Sequence, residues 1–379
     1  MNATVFFDWI GTLPPIVQAL AVVIAFAVVV TVILLLVDIA PRKGPLYTGI
    51  RLAMCLLIPL AVMWFFNSYY WAMGVAVAVG ALFFYLDYRS RDGVGYLIQL
   101  VAFMAPAMLL LLVGLVLPAI QTFYSSFRNS SDSDFVGLAN YVWIFTQSDG
   151  ITSVVNTIVW VLIVPTVSTM VGLAYAVFID RTRGEKIYKV LVFMPMAISF
   201  VGAGIIWRFM YEYRGAQYDQ IGLLNQILVW FGGEPQQWLL NHPWNNLFLI
   251  VVLIWVQTGF AMVVLSASIK GVPGELLEAA ELDGANAWQR FWSVTVPAIR
   301  PALIVVLTTI SIASLKVFDI VRTMTAGNYG TSVLANEMYT QFSKFESGRS
   351  AALAVILFIL VLPIVIYNAR QIKKQREIR

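Results

Sequence analysis

The sequence predicts an all-α, polytopic membrane protein, and three observations carry that prediction. Of 379 residues, 60% are apolar and only 12% are charged, about half the charged share of an ordinary soluble domain. The mean hydropathy is +0.83. The apolar residues gather in nine runs, near 15–37, 50–66, 70–86, 97–120, 154–179, 190–210, 246–269, 301–323 and 350–368. A soluble chain of this composition could not cover its surface with polar groups. A helix needs about 20 apolar residues to cross the bilayer core, and most of the runs reach that length. The second and third are short and joined only by Asn67, Ser68, Tyr69 and Tyr70, so they read as a hairpin.

Composition also excludes chemistries. The single Cys55 leaves no internal disulfide and no multi-cysteine metal site. The only histidine, His242, rules out a histidine metal cluster and reads as an ordinary loop residue. The net charge of +4 is spread between apolar runs, which does not suggest a nucleic-acid binder. The first run is not a signal peptide, because the first basic residue, Arg42, follows it instead of preceding it.

Basic residues orient the runs, since cytoplasmic loops are enriched in Lys and Arg. With the N-terminus outside, 17 of the 24 Lys and Arg fall in inner segments. They include Arg181, Arg183, Lys186 and Lys189, then Lys270, Arg290 and Arg300, then the cluster from Arg370 to Arg379. The N-terminus is therefore expected outside and the C-terminus in the cytoplasm. Two outer segments, 121–153 and 211–245, are long, and loops of that length are often functional. The aromatic residues of the second, Trp238 and Trp244, read as interface anchors.

The inner segment from Gly271 to Pro301 reads as two short helices about a glycine. Pro273 suits an early helical turn, and Glu275 and Glu278 complement a helix N-terminus. Gly284 supplies a left-handed residue to end the first helix. Asn286 can cap the second, and Pro297 is expected to end it. Leu276, Leu277, Ala280, Phe291 and Trp292 give the segment an apolar side. Such a patch fits docking to a partner or, equally, a connector lying on the membrane surface.

The pattern Glu278-Ala279-Ala280, then Asp283-Gly284-Ala285, Phe291, Val294, Val296-Pro297 and Pro301 resembles the EAA loop of ABC importer permeases. The resemblance extends over roughly residues 97–379. Phe135–Tyr141 with Asn156-Thr157, Gly222–Asn225 and Trp238-Leu239 are similar to carbohydrate-uptake permeases of the maltose-permease group. Lys316–Val321, Met324-Thr325 and Val333–Asn336 resemble its α-glucoside branch. The family implies a six-helix type I importer core at 94–379 with its coupling loop at 271–301, and about three extra N-terminal helices at 1–93. It implies that Glu278 faces a cytoplasmic ATPase and that Gly284 is the turn glycine. The implied location is a bacterial plasma (inner) membrane, and the implied partners are a second permease, two ATPase copies, an extracellular or periplasmic solute-binding protein, a sugar and membrane lipid. The chain has no G-x-x-x-x-G-K-[ST] loop. ATP and Mg are accordingly expected on the ATPase, with no cofactor and no enzymatic activity here.

Two runs hold candidates for a sugar path, which needs aromatic platforms and a few polar groups. In the seventh, Gln257 and Phe260 fall at sugar-contacting positions of the family, although polar and small residues also pack membrane helices. In the eighth, the family's contact positions fall on Ile310, Ala313, Ser314 and Val317, where most of the expected amides are missing. That departure weighs against maltose itself. Lys316, Asp319 and Arg322 are spaced by three, which fits either mutual pairing on one helix face or the lining of an aqueous path. A polyol or glycerol-phosphate-like solute is the alternative substrate, and an ion-coupled secondary transporter the alternative class.

Overall fold

The computed structural model describes residues 111–377 apart from 181 and 216, with scattered positions before residue 111; for 369 and 371–377 it describes the backbone alone. The first three apolar runs, the hairpin and the division at 93/94 therefore lie outside the continuously described residues. The chain divides into two compact units, Met1–Ala119 and Ile120–Arg379, and the second carries all that follows α1.

The described tract opens with α1, Leu112–Ser125. The segment 121–153 is next tied down by α2, Ala139–Thr146, before the long α3, Ser148–Ile179. Then come α4, Glu185–Phe193, a 3-10 turn over Met194–Ala197, and α5, Phe200–Met210. The segment 211–245 contains α6, Leu223–Trp230, and leads into α7, Trp244–Lys270. After the short α8, Gly274–Leu282, the helix α9 runs over Ala287–Leu315. α10, Asp319–Met324, and α11, Leu334–Ser343, precede α12, Ser347–Glu377. Among the described residues the only strand-like pairing is one antiparallel bridge between Arg128 and Phe135.

α3, α7, α9 and α12 are each long and apolar enough to cross a membrane. α7 is the central one, packed against α3, α4 and α9. Its buried face presents Leu249, Ile250, Leu253, Val256, Met262 and Leu265 to Trp160 and Val164 of α3 and to Val306 and Ile310 of α9. α3 and α7 run in the same direction, since Asn156 meets Asn246 near one end and Asp180 meets Lys270 at the other. They can approach closely because Gly172 faces Ala261, where an added Cβ would sit 2.5 Å from the alanine methyl. Small residues set such close crossings in lipid, where dispersion contacts replace the hydrophobic effect as the driving force.

The run at 190–210 is not one helix. α4 and α5 meet at 102°. Pro195 cannot donate to an α-helical ladder, and Ser199 starts the next helix, its Oγ accepting from the Gly202 N–H at 3.1 Å. The pair nevertheless crosses the bundle. Lys189 reaches Ser266 of α7, the Val192 and Phe193 backbone lies against Gly259, Trp207 meets Trp255 edge-to-face, and Tyr211 donates to the Phe248 carbonyl. Contacts that step from residue 266 to 248 of α7 cover about 27 Å at 1.5 Å per residue. The segment is a broken span and not a re-entrant loop.

The eighth run also departs from expectation. The helix begins at Ala287, well before 301, and stops at Leu315 instead of continuing to 323. Lys316 caps its C-terminus, and Asp319 stands in the first turn of α10 with Arg322 in the last. Each charge complements the backbone dipole where it sits. The mutual pairing considered for the three does not form: none of them makes an ion pair with another. Arg322 instead lies over the Tyr339 ring at 4.8 Å.

Candidate functional site

The loop between α7 and α9 projects from one end of the bundle. α8 starts after Pro273 and closes with backbone bonds from Asp283 to Ala279 and from Ala285 to Ala280. Gly284 has φ +83, the left-handed conformation expected of it. No atom lies within 4 Å of a Cβ placed there, so backbone conformation, not space, demands glycine. Asn286 then caps the next helix, as expected, and Gln289 completes a reciprocal capping box with bonds of 2.8 and 2.9 Å. Arg290 bridges back to Glu281 across the glycine at 2.6 Å.

Glu278, Ala279, Asp283 and Gly284 are exposed, while Ala280, Ala285 and Phe291 are half-buried between the two helices. Around them stand solvent-facing apolar groups, Leu282 at 89% exposure and Trp288 at 70%. Trp288, Phe291 and Trp292 form a cluster of tilted and edge-to-face rings with centroids 5.2–6.4 Å apart. The loop is thus an ordered platform with an acidic and apolar surface.

Pro297 does not end the second helix, contrary to the sequence expectation. A π-turn over Phe291–Thr295 joins Ala287–Arg290 directly to the helix from Val296, and Pro297 stands in the first turn of that segment, where its missing N–H is tolerated. The bond from Val296 N–H to Phe291 O widens the coil ahead of the proline ring. The loop's second helix and the eighth span are therefore one rod of 29 residues.

The loop's other root is held by charge. Lys270 Nζ lies 2.5 Å from Glu185 Oε1 and 3.4 Å from Asp180 Oδ1. Lys189 Nζ donates to the same Glu185 oxygen at 2.6 Å and to Ser266 Oγ at 2.5 Å. Five residues thereby lock the end of α3, the start of α4 and the end of α7, immediately before Gly271.

Residues 168–377 match the family described as binding-protein-dependent transport system inner membrane component. The chain belongs to that family. The permease is 50% identical over 275 residues to the alpha-glucoside transport system permease protein AglF of Rhizobium meliloti, covering 72% of this chain and 82% of the relative. The osmoprotective compounds uptake permease protein GgtC of Synechocystis sp. is 46% identical over 278 residues, 73% of this chain and all of the relative. A solved bacterial ABC transporter involved in import of the acidic polysaccharide alginate shares the fold, with a TM-score of 0.65 at 22% identity over 76% of this chain and 99% of that one. The permease is a multi-pass membrane subunit of an ABC importer and is not itself an enzyme.

The candidate path residues separate into two groups. Ile310, Ser314 and Val317 point into the core, Ser314 Oγ donating to the Ile310 carbonyl at 2.8 Å. Lys316 is exposed, and Ala313 and Asp319 are partly so. On α7, Gln257 is only 9% exposed, yet its side-chain amide has no hydrogen-bond partner among the described residues. Phe260, partly buried, lies one turn away on the same face. An amide with spare donors and an acceptor beside an aromatic ring suits a hydroxylated ligand.

At the end away from α8, the sequence concealed more than it displayed. Asn225, fully buried, donates to the Glu212 and Gln236 carbonyls and accepts from Gln236 N and from Trp238 Nε1 at 2.9 Å. Trp238 is thus held within the permease, edge-to-face against Phe248, whereas Trp244 is 63% exposed, as an interface anchor would be. Trp160 donates to Asn246, which donates to Asn156, which in turn holds the Gly330 and Ser332 carbonyls, all at 2.8–3.1 Å. Asparagines spread over 90 or more positions give no local signal of such a network.

Proposed function

We propose that the permease carries small saccharides of the α-glucoside class, paired with a second related permease, two cytoplasmic ATPase copies and an extracytoplasmic solute-binding protein. ATP and Mg act on the ATPase. The observation that carries the reading is the ordered two-helix platform around Gly284, rooted by Lys270 and continuous with α9. Closure of an ATPase dimer against Glu278 and Asp283 would move a rod about 43 Å long at 1.5 Å per residue and so open or close the path beside Gln257 and Phe260. The orientation follows: the α8 end and the C-terminus are cytoplasmic, and 211–245 and 325–346 face outward. The charge count supports it, and so does the shared end on which 182–189 and 270–290 lie. The similarity to AglF supports the α-glucoside class.

A second reading, uptake of a polyol-like osmoprotective solute, is favoured by the similarity to GgtC. Reconstitution of the full complex with its binding protein, followed by uptake of labelled α-glucosides and polyols, separates the two. Saccharide-stimulated ATP hydrolysis is expected. Purification without an ATPase, with uptake driven by an ion gradient, would overturn the importer assembly.

A further inference from the structure

A cavity of about 370 Å³ opens at the end of the bundle away from α8. The start of α3 forms one wall, with Ser148, Asp149 and Thr152. The turns at 326–332 form another, and α11 the third. Almost every lining side chain ends in a hydroxyl, amide, carboxylate or ammonium group. None of these groups belongs to the two-helix platform or to the Gln257–Phe260 face.

Two buried acceptor residues stand in the lining of this cavity. Glu337, 5% exposed, has a carboxylate bonded only by Ser332 Oγ at 3.2 Å and Gln341 Nε2 at 2.7 Å, with no Lys or Arg partner among the described residues. A carboxylate offers about four acceptor positions, and leaving such a group buried without compensation is costly. Asn336, 1% exposed, donates from Nδ2 to the same Ser332 Oγ at 3.0 Å, but its Oδ1 has no donor. A ligand in this cavity would therefore be met by acceptors and would contribute hydrogen-bond donors.

The rest of the lining restricts that ligand. A simple anion would meet Glu337 and Asp149. A metal cation would meet the Lys344 ammonium, and the described residues contain no group of three or more Asp, Glu, His or Cys suited to a metal. A polyhydroxylated molecule meets both requirements, because each hydroxyl donates to Glu337 or Asn336 while accepting from Lys344 or a neighbouring hydroxyl. Tyr329, 56% exposed, borders this cavity and a second one of about 480 Å³ lined by Trp238, Arg208 and Arg322. The walls are preformed, since Asn156 holds the Gly330 and Ser332 carbonyls, Asn245 holds that of Tyr329, and Thr157 Oγ1 accepts from Leu334 N.

We propose that this cavity is a second binding site, for a saccharide or polyol, centred on Glu337 and Asn336 and separate from the path beside Gln257. The choice of ligand class rests on the carbohydrate reading above. The test is calorimetric titration of the purified full complex, without its binding protein, using maltose, trehalose, sucrose, glucosylglycerol and inositol. At least one is expected to bind. Glu337→Gln and Asn336→Ala should each weaken that binding about tenfold or more, the scale of a lost charged or buried hydrogen bond. Lys344→Met, an exposed change that spares the fold, should weaken it several-fold and serves if the buried variants do not assemble. Binding lost in Gln257→Ala but kept in the Glu337 and Lys344 variants would overturn the proposal. So would the absence of binding by any of the five. Uptake by the wild-type complex distinguishes the failures: transport of a saccharide without such binding sinks this site alone, while no saccharide transport sinks the carbohydrate reading with it.

Discussion

Arg290 Nη1 lies 2.6 Å from Glu281 Oε2, joining the two helices of the projecting loop across Gly284. The glutamate is 68% exposed, and surface pairs of this kind contribute only about 0–1 kcal/mol. The bridge therefore adds little to a shape that Gly284 and the Asn286–Gln289 capping box already fix. Glu281→Gln should leave assembly and coupled ATP hydrolysis nearly intact. Gly284→Ala, which forces a Cβ into left-handed backbone at a cost of roughly 1–2 kcal/mol, should impair coupling, and Gly284→Pro should abolish it. Binding-protein-stimulated ATP hydrolysis in proteoliposomes measures all three, with Glu278→Lys as the surface-charge counterpart expected to uncouple without unfolding.

The carboxylate of Glu185 holds two ammonium groups, those of Lys189 and Lys270. Glu185→Ala leaves Lys189 with only Ser266 and Lys270 with only Asp180. A lower melting temperature and weaker coupling are expected together, because this cluster roots the loop at Gly271. Lys270→Met, which removes the same link from the other side, should reproduce the coupling loss. Normal coupling in both variants would show that α9 alone transmits the movement.

Asn156 satisfies two carbonyls more than 170 positions away. Asn156→Ala strands them along with the Asn246 amide, at about 1–3 kcal/mol for each buried group left unpaired. The 325–333 turns should become protease-sensitive and the complex should melt earlier, as limited proteolysis and a thermal ramp would report.

The two groups of path candidates should behave differently. Ile310 is fully buried, so Ile310→Ala should cost about 2–5 kcal/mol in packing and lower the yield of folded complex. Gln257→Ala should spare stability and raise the half-saturation concentration for uptake by up to about tenfold, the value of a lost hydrogen bond. Phe260→Ala should have a similar effect. An unchanged uptake profile for Gln257→Ala would remove that side of α7 from the path.

The two-helix loop was the most legible part of the chain. Its glycine turn, its Asn286 cap and its exposed acids are local consequences of neighbouring residues, and local rules recovered them. Pro297 misled, because a proline is tolerated in a helix when a π-turn reshapes the coil before it. Lys316, Asp319 and Arg322 misled for a related reason. Helical spacing predicts pairing only while the helix continues, and here it breaks between the first two.

The sequence by itself determined the all-α membrane class, the family and the presence of a two-helix loop, because these rest on apolar run lengths and on motifs within some thirty consecutive residues. Tertiary structure decided which way each helix faces. It turned Ile310, Ser314 and Val317 into the core, left Gln257 with an unpaired amide, and brought Glu337 and Asn336 to a cavity beside the start of α3. Hydrogen bonds from side chains to distant carbonyls fix that arrangement, and their partners are set by how the helices cross, a relation that no local spacing records.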